Sequence, residues 1–122
     1  MLCRGVRGAT IVEKNTRESI LAASRELLQK IVEANDIVAD TVACAIFTTT
    51  SDLNAAFPAA AARQIGWSNV ALLGTQEADV PDGMKMCLRI LVLFNTDKEA
   101  SRIKHVYLKN TEVLRKELPP MT

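Results

Sequence analysis

An arginine at position 89 stands inside Met86-Cys87-Leu88-Arg89-Ile90-Leu91-Val92-Leu93-Phe94, with apolar residues on both sides and at both strand parities. A guanidinium there is costly unless it meets an anion or a carboxylate. Its planar fork can serve two oxygens at once, which suits carboxylate binding or stabilisation of a charged oxygen. A structural ion pair or a subunit contact explains such an arginine more often than an active site does, so residue type alone leaves the choice open. Arg7, between Gly5 and Gly8, has small neighbours that would let the backbone approach an anion; its bland alternative is an ordinary surface arginine. Glu77 falls in Gly74-Thr75-Gln76-Glu77-Ala78-Asp79, where a solvated carboxylate is the default. Tyr107 follows His105 at strand spacing, which would turn both to one face. A tyrosine there serves a core or an interface more often than a site, and the histidine reads as structural.

Around these residues the usual catalytic constellations are missing. There is no Gly-x-Ser-x-Gly elbow, no phosphate-cradling glycine loop and no dinucleotide fingerprint. One histidine and no acidic cluster around it give no expected metal site, and no cofactor is expected. Fifteen basic residues nearly cancel fourteen acidic ones, which argues against a nucleic-acid binder but allows a local arginine cluster around a small anion. Cys3, Cys44 and Cys87 are odd in number and form no CxxC pair. The last two sit in apolar runs, where free cysteine acts as a small hydrophobe, so a reducing cytosol is expected. The N-terminus lacks the apolar stretch of a signal peptide. The run from Met86 to Phe94 falls short of the ~20 residues that span a bilayer. A cytoplasmic protein with no membrane partner is the expectation.

The elements that must position these residues are legible from periodicity. At 122 residues the chain predicts one domain over 1–122. Residues 2–12 read as a strand. Thr16 caps a helix with the stripe Ile20, Ala23, Leu27, Leu28, Ile31 and Val32, ended by Asn35-Asp36. Ser24 lies within that stripe, its hydroxyl satisfied by the Ile20 carbonyl one turn back. Val42 to Thr50 is a strand. Phe57-Pro58 opens a second helix through Ile65, and Gly66 stops it. Asn69–Leu73 is a third strand, 74–83 a loop, Lys85–Phe94 the strongest strand and Arg102–Leu108 a fifth. The tail, 110–122, ends in Pro119-Pro120 and is expected to be mobile. The order β-α-β-α-β-β-β predicts an α+β (or α/β) fold: a mixed five-stranded sheet with helices on one face. The sheet's edges and bare face would favour self-association.

Arg4-Gly5-Val6-Arg7-Gly8-Ala9-Thr10, Asp52-Leu53, Ala56-Phe57-Pro58-Ala59, Arg63, Gln76-Glu77, Cys87-Leu88-Arg89 and Arg102-Ile103-Lys104-His105-Val106-Tyr107-Leu108 also carry a resemblance. In order and spacing they resemble the small chorismate mutases of the AroH class, over residues 2–118. That resemblance implies a pseudo-α/β-barrel homotrimer with three active sites between adjacent subunits, and an intramolecular rearrangement of chorismate to prephenate. It implies that Arg7 and Tyr107 bind the enolpyruvyl carboxylate, Glu77 accepts from the ring hydroxyl, and Arg89 reaches the ether oxygen. It further implies pocket-lining backbone at Leu73, Gly74 and Thr75, followed by Gln76 and Glu77. Phe57, Leu72 and Leu114 would form an apolar wall, with Arg63 and Arg115 near the mouth. Gly74 and Ala60 stand where the family's familiar residues are cysteine and lysine. Arg115-Lys116-Glu117-Leu118 replaces a familiar Arg-Pro-Asp-Leu. Two other readings remain beside it: a trimeric imine deaminase of similar architecture, and a non-catalytic metabolite-binding module.

Overall fold

The computed structural model describes residues 1–116, the last two by backbone alone. Five strands, β1 (Leu2–Ile11), β2 (Val42–Thr49), β3 (Ala71–Gln76), β4 (Cys87–Thr96) and β5 (Val106–Tyr107), form one sheet in the order β3-β2-β4-β1-β5. Strand β4 lies antiparallel between β1 and β2, whereas the outer pairs β2–β3 and β1–β5 are parallel. The helix α1 (Arg17–Asn35) packs on β1 and on the short α2 (Ala60–Gln64), so the mixed sheet carries its helices on one face, as the sequence predicts. A single turn, α3 (Val113–Lys116), follows β5.

Local chemistry explains the boundaries of α1. The Thr16 hydroxyl accepts from the Ser19 amide at 3.2 Å, and Asp36 closes the helix in the left-handed region at φ 53°. Ser24, fully buried, donates to the Ile20 carbonyl at 2.6 Å. The core forms where α1's stripe meets alternate residues of the sheet. Val6 on β1, Phe47 on β2 and Leu88, Ile90, Val92 and Phe94 on β4 are all buried with Ile20, Leu27, Leu28 and Ile31. Gly8 admits α1 to that sheet: a Cβ there would lie 2.6 Å from Ile31 Cδ1 and 3.0 Å from Leu27 Cδ1.

Four expected elements have other bounds by two residues or more; β4 runs over Cys87–Thr96 rather than Lys85–Phe94. Gly74, Thr75 and Gln76, expected to begin a loop, instead continue β3 alongside Phe47, Thr48 and Thr49, while Asn69 and Val70 precede it. This edge strand is exposed at five of six positions and leaves no burial pattern to read. Only Val106 and Tyr107 pair as β5, because Ala100–Arg102 curls into a 3-10 turn and the Lys104 backbone is bound by a side chain, Asn35. Pro58 and Ala59 form a turn before α2, whose first bonds run from Ala60 to the Phe57 carbonyl and from Ala61 to that of Pro58. Gly66, at φ 96°, ends that segment as expected. Residues 117–122 of the expected tail lie outside the described residues.

Candidate active site

Strand register places the candidate residues. On β4 the even positions face the core, so Arg89, Leu91 and Leu93 face the other way, onto the surface without helices. Paired positions share a face, and the register links Thr75, Thr48, Arg89, Ala9 and Tyr107 into one transverse row across all five strands. The next row holds Leu73, Ile46, Leu91 and Arg7. Sequence positions 7, 89 and 107 therefore meet on one outer face. Glu77 joins them from the end of β3, where its amide donates to the Thr49 carbonyl at 2.8 Å.

Within this cluster Arg89 Nη1 lies 3.2 Å from Glu77 Oε1, and the Thr48 hydroxyl donates to Glu77 Oε2. Both ion-pair side chains are partly open to solvent, at 30% and 24% exposure. A pair so placed contributes about 0–1 kcal/mol, too little to account for an arginine in an apolar strand. Arg7, Glu77 and Arg89 line a cavity of about 210 Å³ with Thr48, Ile46 and Leu91. The Tyr107 hydroxyl is buried and has no hydrogen-bond partner among the described residues, an exception for a phenol, which normally finds one. Thr48 was not singled out in the sequence. Its signal is a polar residue at the same parity as Cys44 and Ile46, following the apolar run Val42–Phe47.

Other candidates lie elsewhere. Phe57, 84% exposed, borders a second cavity of about 520 Å³ together with Gly74, Thr75, Gln76 and Phe47. Phe47 and Gly74 belong to the core-facing parity, so this larger cavity opens beside the helix-bearing face. A single chain thus keeps Phe57 and Arg89 on opposite sides of its sheet. Leu72 packs against the core, Leu73 is 60% exposed on the outer face, and Arg63 is exposed on α2. Leu114 is half-buried in α3, while the Arg115 side chain lies outside the described residues. Room exists at Gly74, where a Cβ would meet only the Phe47 carbonyl oxygen at 4.0 Å.

The strand ends beside the cluster are tied by Asp52. Its carboxylate accepts from the Thr50 hydroxyl at 2.5 Å and from the Met86 amide at 2.9 Å. Desolvation raises its pKa, yet those bonds, its own amide and nearby Lys85 outweigh it and hold the carboxyl below its ordinary value. Burial pushes the Cys87 thiol, next to this clasp, up to about 11, so it stays protonated and packs as an apolar group. Among the described residues no three His, Cys, Asp or Glu side chains group as metal ligands would, and no helix is long and apolar enough to cross a membrane.

Comparison with known proteins gives this arrangement its family. Residues 3–118 match the model of chorismate mutase type I. The chain is 48% identical over 118 residues to chorismate mutase AroH of Thermus thermophilus, covering 96% of this chain and 97% of that one. It is 43% identical over 119 residues to chorismate mutase AroH of Bacillus subtilis (strain 168), covering 97% and 94%. A solved chorismate mutase from Clostridium thermocellum superposes with a TM-score of 0.87 at 45% identity, covering 89% of this chain and 97% of that one. Such relatives, over nearly the whole length, set the class: a small isomerase of aromatic amino acid biosynthesis on a mixed five-stranded sheet. The chain belongs to the chorismate mutase type I family.

Proposed function

We propose that this enzyme rearranges chorismate to prephenate at sites completed between neighbouring copies of the chain, three to an assembly, in the cytoplasm. The observation that carries the reading is the gathering of Arg7, Arg89 and Glu77 on one face of the sheet with Tyr107, whose hydroxyl has no partner among the described residues. Chorismate is a dianion that must fold into a chair-like conformer before the bond shift. Arg7 and Tyr107 bind its enolpyruvyl carboxylate. Glu77 accepts from the ring hydroxyl, and Arg89 donates to the ether oxygen as its bond to carbon breaks. The shift is intramolecular and moves no proton, so the groups required are those that hold the reactive conformer and oppose charge developing on oxygen. Thr48, bonded to Glu77, leaves that carboxylate aimed beside Arg89.

Assembly follows from the two faces. The outer face keeps Ile46, Leu91 and Leu93 only partly covered beside exposed Leu73, an apolar surface suited to another copy. A neighbour seated there would bring its Phe57 and Gly74-Thr75 edge to this chain's arginines, with Arg63 at the mouth. Loss of chorismate absorbance on adding purified protein tests the reaction. An imine deaminase or a metabolite sensor would leave that signal unchanged. Mixing tests the sharing: Phe57→Asp and Arg89→Ala are each expected to be nearly inactive, and reassembled mixtures to regain activity. Verified mixing with no recovery would sink the shared site.

A further inference from the structure

We propose that His105 is a positioning residue for Arg7, acting through a neutral imidazole whose Nδ1 accepts the Arg7 backbone N–H. The inference rests on the reading of Arg7 as a carboxylate-binding residue. Strand β5 pairs with β1 only at Gly8–Val106 and Ala9–Tyr107. Continuing that register by one position sets His105 beside Arg7, where the ladder has already stopped. The Arg7 amide meets His105 Nδ1 there, at 3.0 Å. The imidazole supplies an acceptor where β5 no longer does.

A backbone amide can only donate, so the nitrogen it meets must carry a lone pair. This requires the neutral ring with its proton on Nε2; an imidazolium offers no acceptor. The support beneath the ring is rigid. Asn35, the buried last residue of α1, accepts from the Lys104 amide at 2.8 Å and donates to the Lys104 carbonyl at 2.9 Å and the Ile31 carbonyl at 3.0 Å. Both backbone polar groups of Lys104, the residue preceding His105, are thereby fixed to the helix that also packs against Gly8. The chain of contacts runs from α1 through Lys104 and His105 to the backbone from which the Arg7 guanidinium projects.

The substitutions that separate acceptor from bulk are His105→Asn, whose Oδ1 can stand near the place of Nδ1, and His105→Leu, which removes the acceptor. His105→Leu is expected to raise KM about 5- to 10-fold with kcat within about twofold, since an unpaired amide loosens the strand that carries a binding group. His105→Asn should restore KM to within about twofold of the parent. In the double variant with Arg7→Ala, His105→Leu should add almost nothing, because its route of action is gone. The chain has one histidine, so its ring signals in nitrogen-15 NMR need no sorting. In the neutral ring they should show the Nε2–H tautomer. An Nδ1–H tautomer, an unchanged KM in His105→Leu, or an Asn variant as impaired as the Leu one would each overturn the proposal. Should His105→Leu fail to fold, the Asn variant and the tautomer still decide it. If Arg7→Ala left KM untouched, the reading of Arg7 would fall and the inference with it. If Arg7→Ala raised KM but the two effects simply multiplied, only the inference would fall.

Discussion

The two faces of the sheet are built from the same strands and differ in what alternate residues meet. On β4, Leu88, Ile90, Val92 and Phe94 are buried against α1's stripe, whereas Arg89, Leu91 and Leu93 look out from the same backbone only partly covered. The inner face is closed by the chain's own helix. The outer face collects charge within an apolar surround and stays partly open among the described residues. On the proposed reading, one strand serves stability at one parity and chemistry at the other. A substitution should damage one without the other.

The largest effect is expected on the inner face. Phe47→Ala removes a fully buried aromatic and should destabilise the fold by about 3–5 kcal/mol in denaturant unfolding. Retained stability would mean that the core does not depend on this parity. Next comes Arg89→Lys on the outer face, which keeps the charge but loses the fork. It should leave the unfolding midpoint unchanged and lower kcat ~100- to 1000-fold, an effect of ~3–4 kcal/mol on the barrier. Near-parental kcat would break the proposed role of Arg89 even in a working chorismate mutase.

Smaller effects sharpen the contrast. Asp52, at the margin of both faces, has a depressed pKa, so its contribution is present above the unfolded value of about 3.9 and lost as pH falls through the lower folded value. Asp52→Asn should be less stable than the parent at neutral pH, and the gap should narrow on acidification below pH ~4. A gap that widened there would refute the clasp. The smallest effect has the opposite sign. Thr10, fully buried on the inner face, has a hydroxyl with no partner among the described residues. Thr10→Val should therefore stabilise by about 1 kcal/mol, read as a higher midpoint with no change in kcat.

Much of this contrast was legible in the sequence, for physical reasons. Helix α1 announced itself because its stripe, its Thr16 cap and its terminal Asn35-Asp36 all agree. Strand β4 did so because its apolar run is long. Arg89 stood out because a charge in such a run is expensive. Strand β3 was shifted by two or three residues because its stability comes from backbone bonds to β2, which leave no trace in Gly74-Thr75-Gln76. Strand β5 was overextended because Ile103, His105 and Tyr107 alternate like a strand, although a side chain, Asn35, binds the backbone between them. The meeting of Arg7, Glu77, Arg89 and Tyr107 depends on strand order, which no local pattern encodes. The register sets Arg89 and Tyr107 in one row across the sheet and Arg7 in the next, with Glu77 at the end of β3.

Strand order has a further consequence, in the time taken to fold. Strands β1 and β2 are made early, yet neither pairs with the other; β4, ending at Thr96, must insert between them before either has its antiparallel neighbour. Until that stretch exists, α1 has no continuous surface to cover, and the nascent chain holds β1 unpaired and apart from the β2–β3 pair. Pairings of such long sequence separation close slowly, because the loop entropy is lost before the contacts form. This enzyme should consequently acquire its structure only after nearly all of it has been synthesised, as one cooperative event centred on the arrival of β4.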